Sequence, residues 1–519
     1  MILRMRVLGG VVRCAAALSV AALATAACSS SSHTSAPAGS TSSTASAPAP
    51  SVATPANLVV ANVSPAVRQT IQGFGASGAW WPIDLASFPP SVQRSVANML
   101  FTANGISLSG YRYNIGGGGT GVTTPDRAPK EFADDAAGLL FLHAANSAGV
   151  PILTGFVYSA PPSLTTNGKA CGGNLIPGTE ASYAHHLVDV VVGLHDGDHI
   201  TLKYISPMNE PDNAMGACSQ EGMQVPVSQR AAVVQALGQE LARRAPYTKV
   251  IADETTADAI LANEAPQWLS VPGTASFVAA IAHHTYDFPN DALRKLVPPI
   301  AARFHKPTWM TEICCYKGSG GVASSLGANY DPTMTQGFWL ADQIESDFTV
   351  AGDSAWYWWT ALSPVLGCDP KADPSCPTKV NTKGFNDGLL YYDQHGPTDG
   401  VTKIFTTKRF YVMGQFSRYV RPGAVRHDVS SLPKGVHALA FASGAGGGWT
   451  VVTWNENASP ATYGLRLPGG DVRPRDAVIT NESKNLETGG GVRAPDRTDS
   501  GAWLVKLPAR TIATYTFAG

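Results

Sequence analysis

Between Ile71 and about Trp359, short apolar runs alternate with stretches of helical periodicity. Repeated βα units produce this pattern, because they lay helices over a parallel sheet whose strands are buried on both faces. The runs predicted as strands lie near residues 71–75, 107–114, 151–156, 202–207, 249–253, 277–284, 308–311 and 354–359. Eight such units in succession predict an α/β fold, the (β/α)8 barrel.

One of the predicted helices can be followed in detail. Ser228, which comes after Pro226, is placed to cap a helix. The apolar residues beyond it repeat at helical spacing: Ala231, Val234, Leu237 and Leu241. The length and position of this segment fit a helix on the outside of the barrel.

Beyond Lys408 the pattern changes to short alternating runs separated by Gly and Pro, which is typical of antiparallel strands in a β-sandwich. These runs are residues 438–442, 449–454, 463–467, 477–480, 503–507 and 511–517. The run at 58–63 has no βα partner and is predicted to join them. We therefore predict a barrel at 71–407 and an attached β-sandwich made of 57–70 and 408–519.

The N-terminal region resembles a processed leader followed by a spacer. Residues 1–28 contain three Arg, an apolar run and Cys28, the layout of a bacterial lipoprotein signal in which Cys28 is acylated, although a plain cleavage site is the alternative. Residues 29–56 are rich in Ser, Thr, Ala and Pro and predict a disordered tether. We expect a secreted or cell-surface protein that reaches the membrane only through this lipid.

The charge balance excludes some classes of partner. The chain has 37 Lys and Arg against 38 Asp and Glu, and removal of the predicted signal makes it more acidic. Nothing in this balance favours binding to nucleic acid or to an anionic membrane surface. No protein partner is predicted either.

Six cysteines follow Cys28: Cys171, Cys218, Cys314, Cys315, Cys368 and Cys376. An even number outside the cell favours disulfides. Cys368 and Cys376 bracket a short loop and are predicted to pair, Cys171 and Cys218 are a possible second pair, and the adjacent Cys314 and Cys315 have no assignment. Neither a Cys-x-x-Cys pair nor a His-Glu-x-x-His motif occurs, so no metal or other cofactor is predicted.

Two glutamates follow predicted barrel strands. Glu210 stands after the fourth strand, in Met208-Asn-Glu-Pro211, and Glu312 closes the seventh. Side chains at the C-terminal ends of barrel strands face the active site. A retaining glycosidase needs one carboxyl group to protonate the leaving oxygen and one carboxylate to attack the anomeric carbon. We predict Glu210 as acid/base and Glu312 as nucleophile, against the alternative of two unrelated surface glutamates.

Other candidate site residues also lie at strand ends. Tyr286 is placed to hydrogen-bond the nucleophile, although a core tyrosine is the alternative. Of His283 and His284 one is expected to face the pocket, and His284 is assigned to it. Sugar rings pack on aromatic side chains, and for this role we predict Trp81, Trp358 and Trp359, with the other tryptophans of the two clusters in the core.

A glycine motif after the first strand resembles a dinucleotide-binding site but lacks the flanking residues that such a site needs. Gly73-x-Gly75-x-x-Gly78 matches the dinucleotide fingerprint. Trp80-Trp81-Pro82 follows in place of a helix start, and no acid stands about 20 residues further on. A nicotinamide enzyme is therefore excluded. The absence of a Gly-x-Ser-x-Gly motif gives no support to a serine hydrolase.

Several motifs together resemble glycoside hydrolase family 30 of clan A, over residues 57–519. They are Ile71-Gln-Gly-Phe-Gly75, Tyr111-Arg-Tyr-Asn-Ile-Gly-Gly117, Tyr158-Ser-Ala-Pro-Pro-Ser163, Ser206-Pro-Met-Asn-Glu-Pro211 and the segment 414–423. The resemblance implies a barrel with a β-sandwich, retention at the anomeric carbon and no metal. It also implies Glu210 as acid/base, Glu312 as nucleophile, and Arg112, Asn209 and Tyr286 lining the site of the reacting sugar.

The substrate is predicted from two segments, 309–316 and 386–392, which look most like the endo-β-1,6-galactanase branch of that family. Hydrolysis of β-1,6-glucan, xylan or β-glucosides remains an alternative, because the third-strand loop at 159–164 departs from the usual family sequence. An alternative of another class is a non-catalytic glycan-binding lipoprotein at the cell surface.

Overall fold

The computed structural model describes residues 51–213, 216–316, 327–444, 447–469, 472–489 and 492–519. The predicted signal, Cys28 and the tether up to residue 50 lie outside the described residues. Of the rest of the predicted tether, Val52 and Thr54 are hydrogen-bonded to the loop around Asp499, so these two residues pack against the β domain instead of belonging to a free spacer.

The strands are, in chain order, β1 (Val60–Thr70), β2 (Gly73–Gly78), β3 (Gly110–Ile115), β4 (Ile152–Val157), β5 (Cys171–Asn174), β6 (Tyr204–Ser206), β7 (Gly222–Gln224), β8 (Lys249–Thr255), β9 (Val278–His284), β10 (Thr308–Glu312), β11 (Ala355–Ser363), β12 (Gly388–Tyr391), β13 (Phe405–Thr406), β14 (Val425–Ser430), β15 (Val436–Ala442), β16 (Trp449–Asn455), β17 (Ala461–Arg466), β18 (Arg473–Thr480), β19 (Glu487–Thr488), β20 (Asp496–Arg497), β21 (Trp503–Leu507) and β22 (Thr511–Ala518).

The α-helices are α1 (Trp81–Leu85), α2 (Pro90–Phe101), α3 (Ala136–Ser147), α4 (Glu180–Asp196), α5 (Val227–Arg244), α6 (Asp258–Leu269), α7 (Thr274–Phe277), α8 (Asp291–Arg294), α9 (Val297–Phe304), α10 (Met334–Ser346), α11 (Gly396–Asp399) and α12 (Lys408–Ser417). Among the described residues, no helix is both long and apolar enough to cross a membrane.

Eight parallel strands form the predicted barrel. The strands β2, β3, β4, β6, β8, β9, β10 and β11 are hydrogen-bonded in this order, and the pairing of Met310 with Trp356 closes the ring. All eight strand predictions are confirmed. Nearly every residue of these strands is buried, as expected for strands covered by helices on one side and filled by side chains on the other.

Short elements extend the barrel at its mouth. The strand β12 pairs in parallel with the end of β11, and β13 pairs with β12. The strands β5 and β7 form a separate two-stranded sheet. A disulfide joins Cys171, the first residue of β5, to Cys218, which lies just before β7. The predicted Cys368–Cys376 disulfide is confirmed, and Cys314 is bonded to its neighbour Cys315.

Helix α5 corresponds to the helix predicted after Pro226, but its start differs. Pro226 itself is the capping residue, with extended backbone angles, and no side chain caps the helix. Ser228 is therefore already inside the first turn, and the prediction that it caps the helix is wrong.

The β domain is one curled, ten-stranded sheet in the order β19-β18-β22-β16-β15-β14-β1-β17-β21-β20. The predicted strands are confirmed, and β1 joins the sheet as expected, although its pairing with β17 is parallel. The two halves of the sheet face each other across a core. Tyr463 donates a hydrogen bond to Thr453 at 3.0 Å across it, and the rings of Trp503 and Phe517 lie 5.7 Å apart.

Helix α12 joins the β domain to the barrel. The Phe416 ring lies 5.8 Å from that of Phe74 in β2 and 6.3 Å from that of Trp454 in β16. The side chain of Gln415 donates a hydrogen bond to Thr480 at 2.9 Å. One apolar cluster therefore runs from the barrel into the β domain.

Candidate active site

The two predicted catalytic glutamates meet at the barrel mouth. Glu210 follows β6, Glu312 ends β10, and both side chains are buried. A carboxylate oxygen of each and a ring nitrogen of His284 all lie within 4.8 Å of one another. Retaining glycosidases separate their carboxyl groups by about 5 to 5.5 Å, whereas inverting enzymes need about 6.5 to 9.5 Å. The observed spacing fits retention.

Glu312 is held by two donors. Arg112 Nη1 in β3 donates to Oε2 at 2.7 Å, and Tyr286 Oη donates to Oε1 at 3.0 Å. Burial raises the pKa of Glu312 above its ordinary value, although the positive charges of His284 and Arg112 oppose this rise. Both donors favour the ionised form of the carboxyl group.

Glu210 is fixed by a different set of contacts. Its Oε1 lies 3.2 Å from His284 Nδ1, and its Oε2 accepts a hydrogen bond from Asn213 Nδ2 at 3.1 Å. Its backbone is in the left-handed region, with φ of 48°, and its N–H donates to the carbonyl of Glu254 at 2.9 Å. This conformation is uncommon outside glycine. The neighbouring strand therefore sets the direction of the Glu210 side chain.

A third carboxylate, Glu254, lies behind the pair and was missed by the sequence analysis. It accepts hydrogen bonds from Arg112 and Thr311 and pairs with His284 Nε2 at 3.0 Å. Burial alone would raise the pKa of Glu254, but Arg112 and His284 outweigh it and lower the pKa to about 2. The predicted fifth strand ended at Asp253, one residue too early to place Glu254 on the inner face.

The side chains of β8 and β9 alternate between the inside and the outside of the barrel. His284 points inward to Glu210 and Glu254, whereas His283 points outward to Asp353 at 3.0 Å. Asp253 likewise points outward, to Arg230 at 2.8 Å.

The carboxyl groups around His284 favour its charged form. Burial lowers its pKa, but the charge of Glu312 and hydrogen bonds to Glu210 and Glu254 raise it to about 9. In that form His284 Nδ1 lies 3.2 Å from Oε1 of Glu210 and 3.8 Å from Oε1 of Glu312, so its charge is shared between the two carboxyl groups.

The predicted aromatic contacts need correction. Trp81 and Trp358 are almost fully buried. Trp81 opens helix α1, which turns its ring onto Phe141 at 4.5 Å. Adjacent strand residues face opposite ways, so Trp358 points away from the barrel, 6.1 Å from Trp339 of α10, while Trp359 faces the mouth.

The glutamates open into a cleft of about 750 Å³, within the range of about 300 to 1,000 Å³ common for ligand sites. Its apolar wall contains Trp80, Tyr158, Trp359, Phe385, Cys314 and Cys315. Its polar groups include Arg127, Asp212, Asn213, Gln220, Thr256 and Asp387. The Trp80 and Trp359 rings meet edge to face at 5.1 Å. Trp80 thus replaces Trp81 as the tryptophan of the first cluster that reaches the cleft.

Residues 58–369 match the family described as O-Glycosyl hydrolase family 30. The chain belongs to glycoside hydrolase family 30. This family 30 protein is accordingly a glycosidase.

Similar proteins cover nearly the whole family 30 chain. An endo-β-1,6-galactanase of Hypocrea rufa is 22% identical over 505 residues, 87% of this chain and 92% of that protein. The catalytic domain of xylanase C from Talaromyces cellulolyticus has a TM-score of 0.68 at 21% identity, covering 89% of this chain and 100% of that one. An endo-β-1,6-glucanase has a TM-score of 0.65 at 15% identity, covering 90% and 96%. The two solved structures share the barrel and the attached β domain.

Proposed function

We propose that this glycosidase is a retaining endo-β-1,6-galactanase, with Glu210 as acid/base and Glu312 as nucleophile. The observation that carries the mechanism is the approach of the two carboxylates to within 4.8 Å at the floor of the cleft. The substrate is supported by the similarity to the galactanase of Hypocrea rufa along 87% of the chain. It is also supported by the segments 309–316 and 386–392, which resemble the galactanase branch.

In the first step, a carboxylate oxygen of Glu312 attacks the anomeric carbon while Glu210 gives its proton to the leaving glycosidic oxygen. The glycosidic bond breaks, and an ester between the sugar and Glu312 forms. In the second step, Glu210 takes a proton from water, the water oxygen attacks the anomeric carbon, and Glu312 leaves. Two displacements restore the original β configuration.

The surrounding charges suit these roles. Arg112 and Tyr286 fix the two oxygens of Glu312, so that an oxygen is aimed at the cleft before the sugar arrives. Positively charged His284 stands beside Glu210 and stabilises the carboxylate that remains after the proton has been given away. Glu254 keeps Arg112 and His284 in place from behind.

Asn209 supplies a candidate contact to the reacting sugar. Its Oδ1 accepts a hydrogen bond from Arg112 at 3.3 Å, and its Nδ2 is buried with no partner among the described residues. A buried donor left without a partner costs about 1 to 3 kcal/mol. A sugar hydroxyl bound next to Glu210 would satisfy it.

The test is release of reducing sugar from β-1,6-galactan, β-1,6-glucan, xylan and β-1,3-galactan by the wild type and Glu312→Gln. We expect cleavage of β-1,6-galactan and a loss on the order of 10⁴-fold or more in the variant. The matched control is Glu487→Gln, on an edge strand of the β domain, which should keep wild-type activity. Cleavage of another polymer alone would refute the galactanase assignment. Binding of galactan without cleavage would favour a glycan-binding role.

We also propose that the enzyme is a secreted lipoprotein acylated at Cys28, as the layout of residues 1–28 suggests. In a bacterial host, Cys28→Ala should move the enzyme from the membrane fraction to the medium and abolish labelling by a radioactive fatty acid. An unlabelled wild type would contradict this proposal.

A further inference from the structure

The disulfide between the adjacent residues Cys314 and Cys315 forms part of the cleft wall. Both residues are largely buried, with 2% and 9% of their surface exposed, and what remains accessible borders the cleft. They follow Glu312 by two and three positions. No step of the two-displacement mechanism uses them.

This disulfide adds little as a covalent link in the fold. The stabilisation that a disulfide gives by restricting the unfolded chain grows with the length of the loop it closes, and here no residue lies between the two cysteines. Hydrogen bonds already fix the backbone on both sides. Trp359 N donates to Ile313 O at 2.9 Å, and Cys315 N donates to Asn386 O at 3.2 Å.

The position of the disulfide relates it to the reacting sugar. Cys314 Sγ lies 3.9 Å from Tyr286 Oη, which in turn lies 3.0 Å from the Oε1 atom of Glu312. Cys314 is therefore separated from the attacking carboxylate by a single side chain, and both cysteines line the cleft that a sugar bound at Glu312 would occupy. Asn386 Nδ2 also donates to Tyr316 O at 3.0 Å, which holds the segment that presents them.

The surface chemistry of a disulfide suits a sugar ring. Its sulfur atoms are polarisable and apolar, and they carry no proton that would compete for the hydroxyl groups of the substrate. A pyranose presents C–H bonds on its faces, which pack on such surfaces as they do on aromatic rings. We propose that the Cys314–Cys315 disulfide is the apolar surface on which the reacting sugar packs. This inference rests on the proposed function.

The first test compares C314A/C315A with C368A/C376A, a control that removes a disulfide outside the cleft wall. The ligand is an iminosugar with the configuration of the sugar that the wild type cleaves. It has a single ring, so its binding reports only on the site of the reacting sugar. We expect its inhibition constant to rise about tenfold in C314A/C315A and less than twofold in the control, with kcat/KM falling in parallel. An unchanged inhibition constant in folded C314A/C315A overturns the proposal.

The second test needs no variant and holds even if C314A/C315A does not fold. Wild-type enzyme is reduced with tris(2-carboxyethyl)phosphine with and without the iminosugar, alkylated at intervals and analysed by peptide mass spectrometry. We expect the iminosugar to slow reduction at Cys314 and Cys315 at least fivefold and to leave Cys368 and Cys376 unaffected. Equal rates overturn the proposal. If the wild type cleaves none of the glycans, the proposed function is refuted instead. Failure of the disulfide proposal and failure of the proposed function can therefore be told apart.

Discussion

At the scale of single residues, five ionisable side chains share one buried space at the barrel mouth: Arg112, Glu210, Glu254, His284 and Glu312. An isolated buried charge is costly, so such groups persist only when they are paired and hydrogen-bonded. Here each carboxylate contacts Arg112 or His284. This network separates the roles of two chemically identical side chains, Glu210 and Glu312, by giving them different partners.

Substitution of each glutamate should have a different kinetic signature. Glu210→Gln removes the proton donor and should lower kcat/KM on the natural glycan by about 10² to 10⁴-fold. An aryl β-glycoside with a good leaving group needs no proton, so bond cleavage should be much less affected. Glu312→Gln should lose both reactions, because attack on the anomeric carbon is needed for each. Steady-state and burst kinetics measure both reactions. If Glu210→Gln slows bond cleavage equally in the natural glycan and in the aryl glycoside, Glu210 is not the proton donor.

The raised pKa of Glu312 sets the acid side of the pH profile. The nucleophile must be ionised, so activity is present above its pKa and is lost as pH falls through it. Because burial raises this pKa, the acid limb of kcat/KM should lie above about 4.3, the value of an unperturbed glutamate. Arg112→Met removes a charge that lowers the pKa and should shift the limb further upward. A limb at or below the unperturbed value would count against this assignment.

At the scale of elements, one carboxyl group holds the loop at residues 116–119 by hydrogen bonds to its backbone. Glu221, next to β7, accepts hydrogen bonds from the backbone of Gly117 at 2.9 Å and Gly119 at 2.7 Å. Burial raises the pKa of Glu221 to about 8, although these hydrogen bonds oppose the rise. The loop follows β3 and therefore lies at the same end of the barrel as the cleft, where a buried acid with a raised pKa anchors its backbone.

Replacement of Glu221 by Gln should change how stability depends on pH. An acid whose folded-state pKa is raised favours folding at low pH, and this contribution is lost as pH rises from about 4 toward 8. The free energy of unfolding of Glu221→Gln, relative to wild type, should therefore increase between pH 5 and 8, by on the order of a few kcal/mol. Urea unfolding measures this. Glu482→Gln, which changes an exposed glutamate of the β domain, is the control. A difference between Glu221→Gln and wild type that does not depend on pH would contradict this expectation.

Much of the barrel was predictable because its strands repeat a simple pattern of apolar runs between helices. The two catalytic candidates were predictable for the same reason, since both directly follow such runs. Trp358 and Glu254 were not correctly assigned because each depends on which face of a strand one residue occupies. The Cys314–Cys315 disulfide could not be assigned from the sequence, because the only indication of it is that the two cysteines are adjacent. The role of α12 could not be predicted either, because it depends on packing between segments that are far apart in the chain.

At the scale of the whole molecule, the barrel and the β domain share one apolar core. Trp454 of β16 packs on Phe416 of α12, and its Nε1 donates to Asp342 of α10 at 3.0 Å. Phe441 of β15 lies 6.4 Å from Phe348, next to α10. The β domain therefore packs directly against the helices that cover the last barrel strands and is not connected to the barrel by a linker alone.

Because this core is continuous, the barrel and the β domain should unfold together. Calorimetry of the wild type should show a single transition. Trp454→Ala should lower the free energy of unfolding by about 3 to 5 kcal/mol and keep the transition single. Two separate transitions, with only the β-domain transition shifted in the variant, would mean that the domains are energetically independent.

In the proposed mechanism, Glu210 and Glu312 cleave a β-glycosidic bond with retention at the anomeric carbon. Proton NMR of the first product, recorded within minutes of adding wild-type enzyme to the polymer that it cleaves, tests this most directly, because mutarotation is slower than the enzymatic release. Retention requires that the new reducing end appear first as the β anomer and convert slowly to the equilibrium mixture. Initial appearance of the α anomer would show inversion and contradict it.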